Sequence, residues 1–484
     1  MNRFPRRILA AACAAALLSS GVPALAAEAA QPGISVQLDG ELLSFPDARP
    51  EARDGRTFVP VRPVLEAMGA QVSYSASART VTAVRGDTTL TMALGGDTAT
   101  VEKRGVTYQL PMDAAPYAHD NRTYVPVRFA AQAFGYIVGW DADDQTVILI
   151  DTEKLVADTA AQYEFTYLER YLAYGQKYST GIWDMDMAFD AELALGVAPV
   201  TMDGVLAGTT ADGTAMDASM TLRMDLRELL DSLTEGEAGG MSTADTELLD
   251  SLAEDGITMN LRGDLESGKL YFNLGGEFMT TAEGYDENTW FSLDMAAMYG
   301  SMGLDYDGIV GLASGDADYT ALLSALLTLA AAEPTDRDTA YAELAQGVDF
   351  AAQLLRDEAW TVSGNDRILH YAPELDGLAA DLTFTLTLDG EDVSAYDLAA
   401  EVTVTDPESG MGLTLAVAEA MDADGGMTAN LSMGMGDVMS LTMDMTGAYT
   451  QGDAAPDTQP PEGAQVIDLT SPDPYLESGA VPQA

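Results

Sequence analysis

The sequence predicts an α+β protein. An N-terminal domain of two strand–helix–hairpin repeats is followed by a large antiparallel β-rich domain, a curved sheet or half-barrel with covering helices. Three observations carry this prediction. The heptad at Arg56–Arg62, RTFVPVR, returns 66 residues later at Arg122–Arg128 as RTYVPVR. Beyond residue 181, apolar and polar residues alternate with period two in segment after segment, the pattern of strands with one dry and one wet face. Helical spacing replaces the alternation near 243–254 and 318–357.

The chain of 484 residues is long enough for two or three domains with cores of their own. It opens on three arginines and an alanine- and leucine-rich run that ends in Ala24-Leu25-Ala26. This is the pattern of a secretory signal peptide cleaved near Ala26. We expect residues 1–26 to be a leader and the mature chain to be secreted or held at the cell surface, with no transmembrane segment. The single cysteine, Cys13, lies inside the leader. A lipidated start there ranks below ordinary cleavage, because the apolar run before Cys13 is short. A mature chain without cysteine has no disulfide, no thiolate metal site and no cysteine nucleophile. Without the leader's Arg3, Arg6 and Arg7, 20 basic residues stand against 77 acidic ones. Such a surface repels phosphate backbones, which argues against a nucleic-acid partner, and a solvated acidic surface is the plain reading.

The elements follow in order. Residues 34–45, ISVQLDGELLSF, alternate around Asp39-Gly40, a tight-hairpin signal. In the first heptad Val59 and Val61 read as one strand face, and Pro60, without an N–H, places the segment at a sheet edge or strand end. After Arg62 a short helix is expected, opened by Pro63 and closed by Gly69. A hairpin around SASA follows. The second copy reads the same way: Val125, Pro126, Val127 and Arg128, then a helix closed by Gly135, then a hairpin through Trp140 and the turn DADDQ. Residues 54–85 align with 120–151 without a gap, with 13 of 32 positions identical, which marks an internal duplication.

These motifs, DGRTFVPVR, AMGAQV, HDNRTYVPVRFAAQAFGYIVGWDADDQTVILI, resemble the copper amine oxidase-like N-terminal (stalk) domain. The resemblance spans about residues 34–152 and implies a module common in secreted and surface proteins of Gram-positive bacteria. The first copy has Tyr74 where the second has Trp140. Amine oxidase catalysis in that family belongs to a separate domain, which holds copper through three histidines and makes its cofactor from a tyrosine after asparagine. This chain has two histidines, His119 and His370, and no Asn-Tyr pair. No oxidase activity, no cofactor and no enzyme is expected.

Residues 153–181 are expected to form one helical connector with Phe165, Leu168, Tyr171 and Leu172 on its apolar side. Residues 182–451 are expected to be the β-rich domain. Alternation there sends Met185, Met187, Phe189, Met220, Met224, Met433, Met443 and Met445 to one face. The chain carries 24 methionines. Met-x-Met pairs can hold Cu(I), but the plainer reading is core or an adaptable apolar groove. The acidic turns 141–146 and 422–427 resemble pieces of calcium loops without a closing glutamate, and turn chemistry accounts for them. Proline and small polar residues from 452 to 484 read as a disordered tail. The pattern suggests the half-barrels of periplasmic lipoprotein carriers by analogy. Neither histidine accompanies a GxSxG elbow, and no phosphate loop or HExxH motif is present. The leading expectation is a non-enzymatic envelope protein with a stalk module and a β-rich binding domain for an unidentified envelope or extracellular partner. The alternatives are a carrier or sensor of lipid or another apolar ligand, and an envelope metal binder. Any pocket is expected between the apolar sheet face and the helices at 318–357.

Overall fold

The computed structural model describes residues 33–470 apart from short breaks, the longest being 235–241, 406–411 and most of 302–332. The leader and most of the expected helix at 318–332 fall outside the described residues. The chain divides into two compact units. The first holds the described parts of Met1–Glu164, Ala296–Ile309 and Ala317–Leu354; the second holds those of Phe165–Met295, Val310–Asp316 and Leu355–Ala484.

In the first unit, strands β1 (Ser35–Leu38), β2 (Glu41–Leu42), β3 (Glu51–Arg53) and β4 (Arg56–Pro60) lead into helix α1 (Val61–Ala67). A five-stranded antiparallel meander follows: β5 (Gln71–Ser75), β6 (Thr80–Arg85), β7 (Thr88–Ala93), β8 (Thr98–Lys103) and β9 (Val106–Pro111). Then come β10 (Tyr117–His119), β11 (Arg122–Pro126), α2 (Val127–Gln132), β12 (Tyr136–Asp141), β13 (Thr146–Asp151) and α3 (Thr152–Ala160).

The two heptads pair with each other. Strands β4 and β11 run antiparallel in the sheet β10–β11–β4–β3, with Val59 opposite Val125 and Pro60 opposite Tyr124. Each strand ends at its proline and the next residue starts a helix. The strands are therefore interior and not at a sheet edge. A proline at the last position takes no donor out of the middle of the ladder. Val61 begins α1 instead of extending the strand, yet it is buried together with Val59, Val125 and Val127. Gly69 and Gly135 follow the helices at φ +86° and +77°, which glycine adopts without a Cβ clash.

The core joins Val36, Val59, Val64, Leu65, Leu90 and Leu149, each sealed from solvent. Each contributes about 1.5–3 kcal/mol by burial. The last residues of the two aligned stretches meet: Arg85 pairs with Asp151 at 2.5 Å, and Tyr136 Oη donates to the same carboxylate at 2.9 Å.

Residues 333–354, expected in the β-rich domain, belong to the first unit. Strand β12 is the edge of the sheet β12–β13–β1–β2, and an edge leaves backbone donors in need of partners. Trp140 N donates to the Pro334 carbonyl at 3.0 Å. Arg128 pairs with Glu333 at 2.5 Å, whereas Arg62 is exposed. Tyr163 Oη donates to Asp349 at 2.5 Å on the helix Ala340–Leu355.

Asp141 anchors this arrangement. Its carboxylate accepts from the backbone N–H of Asp143 and Asp144 at 3.0 Å each and of Arg337 at 3.1 Å. Burial pushes its carboxyl up, but these bonds and the Arg337 charge together hold it below the usual range. A depressed carboxyl pKa contributes stability that is present above the unfolded value near 3.9 and lost as pH falls through the folded value. Asp141→Ala strands three donors and should cost about 1–3 kcal/mol at pH 7. The gap from wild type should narrow below pH about 4 in denaturant titrations; a pH-independent gap would contradict this.

The second unit opens on helix α4 (Thr166–Ser179) and strands β14 (Ile182–Ala194), β15 (Pro199–Ala211) and β16 (Ala215–Asp225). Helix α5 (Thr243–Glu254), capped by a Ser242–Asp245 capping box, precedes β17 (Ile257–Asp264), β18 (Lys269–Gly275) and β19 (Thr289–Asp294). Then follow β20 (Thr361–Ser363), β21 (Asp366–Tyr371), β22 (Glu374–Leu375), β23 (Leu378–Asp389), β24 (Asp392–Thr405), β25 (Gly412–Met421), β26 (Gly426–Met435), β27 (Met439–Gln451) and β28 (Gln465–Asp468). They form one fifteen-stranded sheet, antiparallel except where β28 joins β19.

Two expectations are corrected. The connector 153–181 is not one helix: α3 ends at Ala160 and α4 starts at Thr166, with the unit boundary after Glu164. Leu155 and Val156 are buried on the half that belongs to the first unit, Phe165 and Leu168 on the half that belongs to the second. The tail is ordered as far as it is described. Strand β28 completes the edge of β19, Ile467 is buried, and Arg262 donates to Gln459 O at 3.0 Å. Proline-rich composition concealed the short strand QVID.

Candidate functional site

Period-two alternation and antiparallel register bring all eight candidate side chains to one face of the large sheet. Met445 lies opposite Phe189, Met443 opposite Ala191, Met433 opposite Leu441, Met220 opposite Leu206 and Met224 opposite Met202. Met185 and Met187 continue the β14 row. The other face of the same strands carries Asp186, Asp190, Glu192 and Asp444. Small residues let the large ones lie down. A Cβ on Gly204 would meet the Phe189 ring at 2.5 Å, and one on Gly447 would meet Met187 Cγ at 2.6 Å.

This face differs from the core of the first unit. Met185, Met187, Phe189, Met220, Met224, Met433, Met443 and Met445 are all only half-buried. In the first unit the central valines and leucines are sealed. A broad apolar surface left partly in contact with water is costly for the free protein, and flexible thioethers can adapt to an occupant.

One end of the face is closed by α4. Tyr167, Tyr171, Tyr174 and Tyr178 follow each other at helical spacing and pack over Phe384, Tyr396, Trp360 and Tyr449. Tyr171 meets Phe384 edge-on at 4.9 Å and Tyr396 at 5.3 Å. Tyr174 Oη donates to Asp422 O at 3.1 Å. The sequence expectation named Leu172 and missed Tyr174, although the tyrosine spacing in TYLERYLAYGQKYS was the signal.

Glu419 is the second residue missed. It takes a face position in β25 that alternation reserves for an apolar side chain, after Leu413, Leu415 and Val417 and before Met421. Tyr396 Oη donates to its Oε1. Burial, then this bond and the carboxylate charge, push the Tyr396 hydroxyl well above its ordinary range; burial first and the Glu419 charge second also raise Tyr171 and Tyr449.

The remaining candidates are accounted for locally. His119 Nδ1 lies 3.0 Å from Glu51 Oε1, and His370 Nδ1 3.1 Å from Thr383 Oγ1; both rings are exposed. Asp422, in the second acidic turn, accepts from Asp424 N at 2.9 Å and Gly426 N at 2.8 Å, so backbone donors occupy it. No group of three or more metal-ligating side chains is found among the described residues. The helix expected at 318–332 to border a pocket lies mostly outside the described residues, and two grooves lie on the acidic face. One of about 480 Å³ runs over Asp381, Glu401, Asn430 and Asp444, and one of about 540 Å³ over Asp184, Asp186, Asp217 and Asp457. Rows of alanine, serine and glycine on the acidic face leave these hollows. Among the described residues no helix is long and apolar enough to cross a membrane.

Residues 37–149 match the copper amine oxidase N-terminal domain family. No curated protein matches the chain. Among solved structures the chain is similar to a Vibrio parahaemolyticus domain described as an outer membrane lipoprotein-sorting protein domain, at 9% identity and a TM-score of 0.18, covering 60% of this chain and 95% of that one. It is similar also to a DUF1329 family protein from Desulfovibrio piger, at 10% identity and a TM-score of 0.21, over the same shares. Neither likeness is close enough to carry function across.

Proposed function

We propose that this is a secreted, non-enzymatic envelope protein whose second unit binds an apolar ligand on the methionine-rich face of its large sheet. The observation that carries this reading is the half-burial of that face. Eight methionine and phenylalanine side chains in register remain partly wet, in a chain whose first unit seals its own core completely. A ligand with an apolar body would remove that surface from water and gain about 25 cal/mol per Å² of it. The first unit is a stalk or interaction module built from two copies of one strand–helix–hairpin unit, and it takes no part in binding. Copper or calcium binding has less support, since the thioethers face an apolar surface and the acidic turns are spent on backbone N–H groups.

Native mass spectrometry of the protein purified from the cells that secrete it tests the reading. Bound masses that an organic extraction removes are expected, together with saturable uptake of a fluorescent long-chain probe. A ligand-free protein that takes up no probe would overturn it.

A further inference from the structure

Glu419 stands out because of its neighbours. In-register pairing sets it in one row with Phe384 and Leu398 on one side, and with Ala429, Met445 and Phe189 on the other. Among the described strand residues of β14–β19 and β23–β27, it is the one carboxylate on this face. It also marks where cover ends. Three successive face positions of β25 run from Met421, 6% exposed beneath the α4 tyrosines, through half-buried Glu419, to Val417 at 36%.

A charge in such a row has to be compensated, and here the compensation is partial. Tyr396 donates to one oxygen, Oε1. Among the described residues no other hydrogen bond to Glu419 is made and no cation pairs with it. Its neighbour in the row toward Phe189 is the half-buried Ala429, the smallest side chain of that row. A half-buried carboxylate with one neutral donor takes its remaining bonds from water, and a charge-assisted bond from a ligand cation replaces that water once an apolar chain covers the face.

We propose that Glu419 is the headgroup-recognition residue of the apolar face, and that the ligand carries a primary ammonium on an apolar chain. The chain lies along the methionine row toward Phe189, about 14 Å and three strand spacings away. The ammonium donates to the Glu419 carboxylate. The proposal rests on the apolar-ligand reading and adds to it the chemistry of the head. The overall charge agrees: a chain of formal net charge −54 draws cationic amphiphiles toward itself and repels anionic ones.

The test compares three probes of equal chain length, dodecylamine, dodecanol and dodecanoate, by displacement of a fluorescent long-chain probe at physiological salt. Wild type should bind the amine about tenfold more tightly than the alcohol and bind the carboxylate most weakly. Glu419→Gln, which keeps the shape and an acceptor for Tyr396, should reduce the amine preference to about twofold or less while binding of dodecanol is retained. Glu401→Gln, on the acidic face, should leave the preference intact and so separates this site from diffuse attraction. If Glu419→Gln does not fold, the amine-over-alcohol ratio on wild type from low to high salt still decides: a direct contact at Glu419 keeps the preference at high salt, and diffuse attraction loses it. Equal binding of all three, or an unchanged amine preference in Glu419→Gln, would overturn the headgroup assignment and leave the apolar-ligand reading standing. Failure of all three probes to bind would overturn both.

Discussion

Gly139→Ala is expected to release residues 333–354 from the first unit and to lower its stability by about 2–3 kcal/mol. A Cβ at this position would lie 2.1 Å from the Pro334 carbonyl oxygen and 2.7 Å from Pro334 Cβ. The nearest obstacle is backbone and cannot swing aside as a side chain would. Moving it breaks the Trp140 N–H bond to Pro334 and strands a donor on the edge of the sheet, which adds to the steric cost. The measurements are denaturant unfolding and limited proteolysis near Pro334, where cleavage should accelerate. Gly175→Ala is the control of opposite sign. It has open space at the added Cβ inside helix α4 and should gain up to about 1 kcal/mol from helix propensity. Equal behaviour of the two variants would contradict the close approach.

The second large effect is a contrast. Leu149→Ala removes a side chain with no exposure from the middle of the first core and should cost about 2–5 kcal/mol, because the cavity cannot collapse. Met443→Ala removes a side chain of similar size from the half-buried face and should cost only about 1 kcal/mol or less, since much of its area is already wet. Long-chain probe binding should respond in the reverse order, with Met443→Ala weakening it and Leu149→Ala leaving it unchanged at temperatures where the variant is folded. If Met443→Ala destabilises as much as Leu149→Ala, the methionine face is sealed core and the ligand reading fails with it.

Much of the fold was legible because backbone rules act locally. Alternation alone assigned the eight candidate side chains to one face, since antiparallel pairing leaves no choice once the period is two. The two short helices and their closure at Gly69 and Gly135 were readable for the same reason, although they start at Val61 and Val127, two residues before the expected Pro63 and Phe129. The readings that failed concern partners distant in sequence. Nothing local says that β4 pairs with β11, that residues 333–354 cover the edge strand β12, or that QVID joins β19 across more than 170 intervening residues. Glu419 lies between these cases. Its place in an apolar register was visible in GLTLAVAEAM, but its donor Tyr396 and the tyrosines of α4 were not.

By itself the sequence determined the period of each strand, the ends of the short helices and the acidic and apolar faces, since these depend on chirality, proline and the side-chain composition of neighbours in the chain. Whether the methionine face is sealed or left half-open was decided only by the tertiary structure. Burial depends on which elements come to lie over a surface: α4 closes one end of the sheet as far as Met421, and beyond it the face positions Glu419 and Val417 are increasingly exposed.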